Sequence, residues 1–333
     1  MKFALSAENR QFAESLDQLL AESDTPSVVR AWGRGDHGPG RRLWSQLAEV
    51  GATSLLVPDK HGGLDAEPID LVVACERLGH HAAPGPLVES LAAIPVLLSG
   101  IGGDAAERHL PALCSGELLG TLVAPPQVPY ALDADVAGLV LRVDGEQVRE
   151  AEVSGAEPRH SVDIARRLFT VGEGGPLLAT DPAVVARAFD VAALACAAQL
   201  LGAGQWLLET ATAHAKQRKQ YGREIGQFQA IKHLLADVAT ELELARPLVH
   251  GAAVALADPS AGEPARDVSA AKVATADAAY LAARTCLQVH GAIGYTDEHD
   301  LGLWLTKVRA LVAAWGTSAH HRQRVASSLE AHA

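Results

Sequence analysis

Apolar residues recur at steps of three and four along most of the chain. Behind Ser6, which can cap a helix, Phe12, Leu16, Leu19 and Leu20 fall on one helical face. The same spacing predicts helices over Arg41–Val50 and Ile69–Gly79, separated by the turn-rich run PDKHGG at 58–63. Another helix runs through ESLAAIPVLLSG (89–100), where Pro95 implies a break or kink, and a fifth covers Asp104–Cys114. From about 117 to 180 the pattern changes. TLVAPP (121–126), AGLVLRV (137–143), QVREAEV (147–153) and RRLFTV (166–171) are short, rich in Val and Leu, and divided by Pro and Gly, so they read as strands. Asp181-Pro182 then opens a long helix to about Arg218, with Asp as N-cap and Pro at the first helical position; Tyr221-Gly222 breaks it. Phe228, Ile231, Leu235, Val238 and Leu242 begin a second long helix reaching Leu256, with a kink expected at Pro247. Asp267–His290 and a last helix after Asp300 complete four long helices.

The coarse order is therefore helices, then strands, then a four-helix bundle. Boundaries follow at 1–116 for an N-terminal helical domain, 117–180 for a small β middle domain and 181–333 for the bundle. The chain has 333 residues, 48% of them hydrophobic, enough for two or three packed lobes. Its net charge of −12, with no basic run, argues against nucleic acid as a partner. The opening MKFALSAENRQFAESL has charges breaking any apolar run and reads as no signal peptide. No stretch approaches the roughly 20 uninterrupted apolar residues of a membrane span. Cys75, Cys114, Cys196 and Cys286 are far apart and follow no C-x-x-C spacing, which fits reduced thiols in a cytoplasmic protein.

Two segments carry a resemblance. RKQYGREIGQFQAIKHLLADV (218–238) and QVHGAIGYTDEHDLGLWL (288–305) resemble the signatures of the acyl-CoA dehydrogenase flavoproteins. The α–β–α order and VPDKHGG (57–63) agree, so an acyl-CoA dehydrogenase-like, mainly α fold is expected. In that family FAD lies extended at a dimer interface and is held by two chains. The resemblance implies that Arg218 pairs with the pyrophosphate through a charge-assisted, bidentate contact. Gln220 and Tyr221 would contact the same region, Ile225 and Gln229 the adenosine end. Gln288 would supply a polar side chain, and Gly291 close backbone approach. Ala292 stands where many relatives have a second glycine. Read without the family, an Arg-Lys pair at a helix end is a solvated terminus complementing the dipole, and Phe228, Ile231 and Leu235 are core.

The family abstracts the α-proton of an acyl-CoA thioester with a carboxylate while hydride leaves Cβ for the flavin, so a base must reach Cα. Aligning GTSAHHR (316–322) with the family's E-G-T motif puts Trp315 at the glutamate position. The alternative position on the first bundle helix falls at Ala193, flanked by Ala192 and Leu194. Asp190, one turn away, is the nearest carboxylate in sequence and reads as a partly exposed helix residue. The family's T-E-P motif appears as VAPP (123–126), no W-[IV]-[TS] segment is found, and the β region is short; Thr317 of the G-T pair is retained. The half that would serve a neighbour's cofactor is kept and the half that would serve its own is lost. This resembles the small, base-lacking subunits of heteromeric actinobacterial acyl-CoA dehydrogenases of steroid side-chain degradation. The expected partners are a catalytic subunit of the same family, an acyl-CoA and an electron-transfer acceptor. The alternatives are a homodimeric flavoenzyme with a relocated base and a purely structural subunit. GEGG (172–175) lacks the context of a phosphate loop. His80-His81 and His320-His321 are adjacent pairs whose side chains should diverge, a poor basis for metal binding. TSAHH has no nucleophile-elbow context.

Overall fold

The computed structural model describes residues 4–154, 157–296 and 299–331. Its first helix, α1 (Ala7–Glu22), starts where Ser6 predicts: the Ser6 hydroxyl accepts from the Asn9 N–H, and the Asn9 amide oxygen accepts from the Ser6 N–H. Asn9 also donates to Asp70 at 2.6 Å, tying α1 to α4. The lobe continues with α2 (Thr25–Gly33), α3 (Gly38–Glu49), α4 (Pro68–His80), α5 (Ile94–Ile101) and α6 (Gly103–Cys114). The break expected at Pro95 takes a definite form. A π-helical turn over Glu89–Ala93 runs directly into α5, just before Pro95, whose missing N–H cannot donate to the preceding turn. No pattern in the sequence announced α2, whose nine residues are too few for periodicity to stand out, although Val28, Val29 and Trp32 are buried.

A four-stranded sheet follows in the order β1 (Gly120–Val123), β3 (Leu139–Asp144), β4 (Gln147–Glu150), β6 (Leu177–Thr180). β1 pairs parallel to β3 and the other pairs are antiparallel. β2 (Ala131–Leu132) and β5 (Leu168–Phe169) form a separate two-residue ladder. The four expected strands coincide with β1, β3, β4 and β5, each shorter than its apolar run. GEGG lies in the connection between β5 and β6.

The bundle comprises α7 (Pro182–Gln217), α8 (Gln229–Ala257), α9 (Pro264–His290), α10 (Leu301–Ala313) and α11 (Ser318–Ala331). Asp181 caps α7 with its carboxylate on the Ala183 and Val184 N–H groups. α8 runs through Pro247 without interruption. The last expected helix is two helices, because Trp315 and Gly316 take positive φ between α10 and α11. α7 is the spine of the molecule: every residue from Asp190 to Gly204 is buried. It is long and apolar enough to cross a bilayer, yet most of its apolar stretch is enclosed by protein, as befits a core helix. Gly79 and Gly202 permit the closest approach in that core. A Cβ on Gly202 would lie 1.8 Å from the Glu76 carbonyl oxygen, and one on Gly79 would lie 2.1 Å from that of Gln199. The α4 and α7 backbones thus touch, locking the first lobe onto the bundle.

Candidate functional site

The residues expected to hold the cofactor gather at one end of the bundle. α7 stops at Gln217, and Arg218 leaves in extended backbone while its N–H still donates to the His214 carbonyl at 2.9 Å. Lys219–Gln220 (β7) and Arg223–Glu224 (β8) pair as a hairpin through Tyr221-Gly222. Both turn residues have positive φ, as a two-residue hairpin turn of this hand requires. Tyr221 is 93% exposed at its tip. The Ile225 N–H closes the hairpin on the Arg218 carbonyl at 2.8 Å, and Gln229 opens α8. The end of α9 meets the end of α7 here, where the His214 and His290 rings stack with centroids 4.2 Å apart. Gln288, two residues before His290, is exposed. Gly291 follows at φ 63°, and a side chain there would meet only open space.

This end presents the carbonyl termini of two helices, which cationic groups offset. The Arg218 guanidinium has no hydrogen-bond or ion-pair partner among the described residues. His290 Nδ1 donates to the Cys286 carbonyl at 2.8 Å, whereas its Nε2 is buried without a partner among the described residues. Burial lowers the pKa of both His214 and His290, and each is lowered further by a neighbouring imidazole. A free guanidinium and a glycine with space above it suit an extended anionic dinucleotide such as the ADP portion of FAD.

The two base positions are occupied otherwise. Ala193 is fully buried in α7. Trp315 is 3% exposed and held at φ 56° in the α10–α11 break by polar groups beneath it. His321 Nε2 donates to the Trp315 carbonyl at 2.9 Å, and its Nδ1 meets Ser269 Oγ at 3.1 Å. Arg324 joins Ser269 to Asp190 with bonds of 3.1 and 2.7 Å. Burial pushes the His321 imidazole down to about 4, so the ring is neutral and can serve Ser269 as acceptor and Trp315 as donor. Lys272, buried, closes the end of α10 by donating to the carbonyls of Leu311 and Val312 at 3.1 and 3.2 Å. Thr317 Oγ1 accepts from the His320 N–H and so caps α11, a structural reason for its presence. Asp190 corrects the sequence reading: it is 5% exposed and bound to Arg324, because α11 packs over the face of α7 that was expected to meet solvent. Burial outweighs Arg324 and holds its carboxyl above the usual range.

Glu89 is a buried carboxyl group that sequence reasoning did not single out. It is 2% exposed, its Oε1 accepts from the Trp315 indole N–H at 3.1 Å, and its Oε2 has no partner among the described residues. Burial raises its pKa against the opposing pull of Arg166 and of the Trp315 bond. Glu89 and Trp315 border one cavity of about 460 Å³ between the β lobe and α10, which Asp190 does not line. In the sequence Glu89 merely precedes an apolar run, and no local signal connects it to a residue 226 positions away. Of the adjacent histidines, His80 Nε2 lies 3.0 Å from a Glu209 carboxylate oxygen and His81 Nε2 3.0 Å from one of Asp17. Asp17, His80 and His81 do offer ligand atoms within 4.8 Å of one another, but Arg77 already donates to Asp17 at 3.2 Å, which disfavours a cation.

Comparison with known proteins agrees with this architecture. The N-terminal domain model of the acyl-CoA dehydrogenases matches residues 6–117, and the C-terminal domain model matches 183–330. The acyl-CoA dehydrogenase IpdE2 of Mycolicibacterium smegmatis is 31% identical over 96% of this chain and 98% of its own. Among solved structures, the Tcur3481-Tcur3483 steroid ACAD superposes with a TM-score of 0.87 at 21% identity, covering 98% of both chains. The ChsE4-ChsE5 complex of Mycobacterium tuberculosis gives 0.86 at 20% identity, covering 99% of both. With the two domain models at either end and a relative alike over almost its full length, the chain belongs to the acyl-CoA dehydrogenase family of oxidoreductases.

Proposed function

We propose that this chain is the base-lacking subunit of a heteromeric, FAD-dependent acyl-CoA dehydrogenase, lending the ADP half of the cofactor site to a partner chain that supplies the glutamate. The observation that carries the reading is the unequal state of the two half-sites. An indole stands at one base position and a methyl group at the other, while the bundle end keeps its open guanidinium. Proton abstraction from Cα needs a carboxylate within hydrogen-bond reach. An indole N–H only donates, and Asp190 is committed to Arg324.

In this reading Arg218 holds the pyrophosphate, with Gln220 and Tyr221 beside it. Ile225 and Gln229 lie toward the adenosine, and Gln288 with Gly291 completes the cradle. FAD, when bound, supplies the hydride acceptor for the β-carbon. The partner's glutamate takes the α-proton, and a separate electron-transfer protein reoxidises the flavin. The likeness to IpdE2 and to a steroid ACAD favours a CoA thioester of a steroid-derived acid as substrate. The likeness to a two-component complex favours a paired assembly. A cytoplasmic location fits the four cysteines, which form no disulfide.

Expressing the chain alone and together with a full-length family member tests this. Alone it should show no α,β-desaturation of any acyl-CoA. The pair should turn over, and replacing the partner's glutamate by glutamine should abolish turnover. Sustained activity of the pure chain would overturn the proposal.

A further inference from the structure

The cavity bordered by Glu89 and Trp315 has the size of a small-molecule site, which typically spans about 300–1,000 Å³. Val128, Leu132 and Leu168 on one side and Val312 on the other make its walls apolar. Polar groups interrupt that lining, Gln127, Tyr130 and Ser161 among them, and Glu89 and Arg166 carry the chemistry. The buried Glu89 Oε2 has no partner among the described residues, an arrangement that costs free energy unless a ligand or water completes it. The Arg166 guanidinium borders the same space, half-buried, with no hydrogen-bond or ion-pair partner among the described residues. Its charge is near enough to act on Glu89. Arg309, exposed at the rim, adds a second positive charge.

Burial favours the protonated form of Glu89. With Oε1 accepting from Trp315, the protonated form of Glu89 would carry its proton on Oε2, where it can be donated. A guanidinium and a carboxylic acid O–H in one apolar cavity are complementary to a carboxylate with an apolar body. The two ligand oxygens accept from Arg166 and Glu89, and the hydrocarbon covers the walls. The uncharged carbonyl of a thioester would leave the Arg166 charge unanswered. We propose that this cavity binds the free carboxylate of an apolar organic acid, held by Arg166 and Glu89, at a site separate from the bundle end assigned to FAD. The site is built from this chain alone, so it does not depend on the partner reading.

Calorimetric titration of the purified full-length chain with octanoate tests the assignment, with 1-octanol, octanoyl-CoA and FAD titrated in parallel. Octanoate should bind saturably, one per chain, and octanol at least about tenfold more weakly. Arg166→Gln and Glu89→Leu should each weaken octanoate about tenfold or more, whereas Glu89→Gln, which still donates, should stay within about threefold. Thermal melts establish that the variants fold. Arg166 lies outside the core, so its variant remains readable even if Glu89→Leu does not fold. Absence of saturable octanoate binding, or unchanged affinity in Arg166→Gln, would overturn the assignment. So would a preference for octanoyl-CoA or FAD over octanoate, which would identify the cavity as a thioester or flavin pocket.

Discussion

Arg218 concentrates the cofactor argument in a single side chain. It is exposed and unengaged, just past the end of the longest helix. Its loss should therefore leave the fold intact and be felt by a ligand. Arg218→Ala should remove a charge-assisted contact of about 1.5–3 kcal/mol, a loss of FAD affinity on the order of 10- to 150-fold. Arg218→Lys keeps the charge without the planar fork and should recover part of it. Titrating FAD into the apo heteromer for the three proteins decides the point; equal affinities would mean that the signature is a relic of ancestry. The residues at this end were legible because they fall in two continuous segments, each placed by a helix terminus. The Glu89–Trp315 contact was not legible, since nothing local links the first residue of a π-helical turn to one in a late helix break. Asp190 shows the same limit in reverse. Its position in α7 was readable from the sequence, but its burial depends on α11, which the sequence reading had merged with α10.

The α10–α11 break decides what stands at the lost base position. It rests on a neutral His321 wedged between Ser269 and the Trp315 carbonyl. The folded-state pKa of this imidazole, about 4, lies below its ordinary value of 6.5. The unfolded chain therefore binds the extra proton first as pH falls. Stability should be full above about pH 6.5 and drop progressively toward pH 4, by on the order of 2 kcal/mol from this group. His321→Gln should flatten that part of the profile, measured by urea unfolding between pH 7 and 4; an unchanged slope would mean that His321 is protonated in the fold. The α4–α7 crossing makes a second demand. Gly202→Ala would drive a methyl group into the Glu76 carbonyl and should destabilise by about 1–3 kcal/mol or more. Thermal unfolding checks this, and an unchanged melting temperature would contradict the backbone contact. Long periodic helices were the elements best read from sequence. The two-residue strand β2 and the nine-residue α2 carry too few residues for any period, and the ladder and lobe that form around them define them.

Across the whole molecule, the first lobe, the bundle and the candidate cavity are fastened to one another. The Trp304 indole donates to the His80 carbonyl at 2.8 Å, and Lys307 Nζ to the Ala83 carbonyl at 2.9 Å, so α10 is pinned to the end of α4 and the loop beyond it. These bonds lie in the same rigid core as the Gly79–Gly202 contact, leaving the cofactor end of α7 and α9 at the surface where a second chain can reach it. In the proposed assembly each pair of chains has one complete flavin site, built from the bundle end of this chain and the catalytic half of its partner. A homodimer would have none. The direct test is the ratio of flavin to protein in the purified heteromer, from flavin absorbance and quantitative amino-acid analysis. One FAD per pair of chains is the predicted result; two FAD per pair, one for each chain, would contradict the division of the site between unequal subunits.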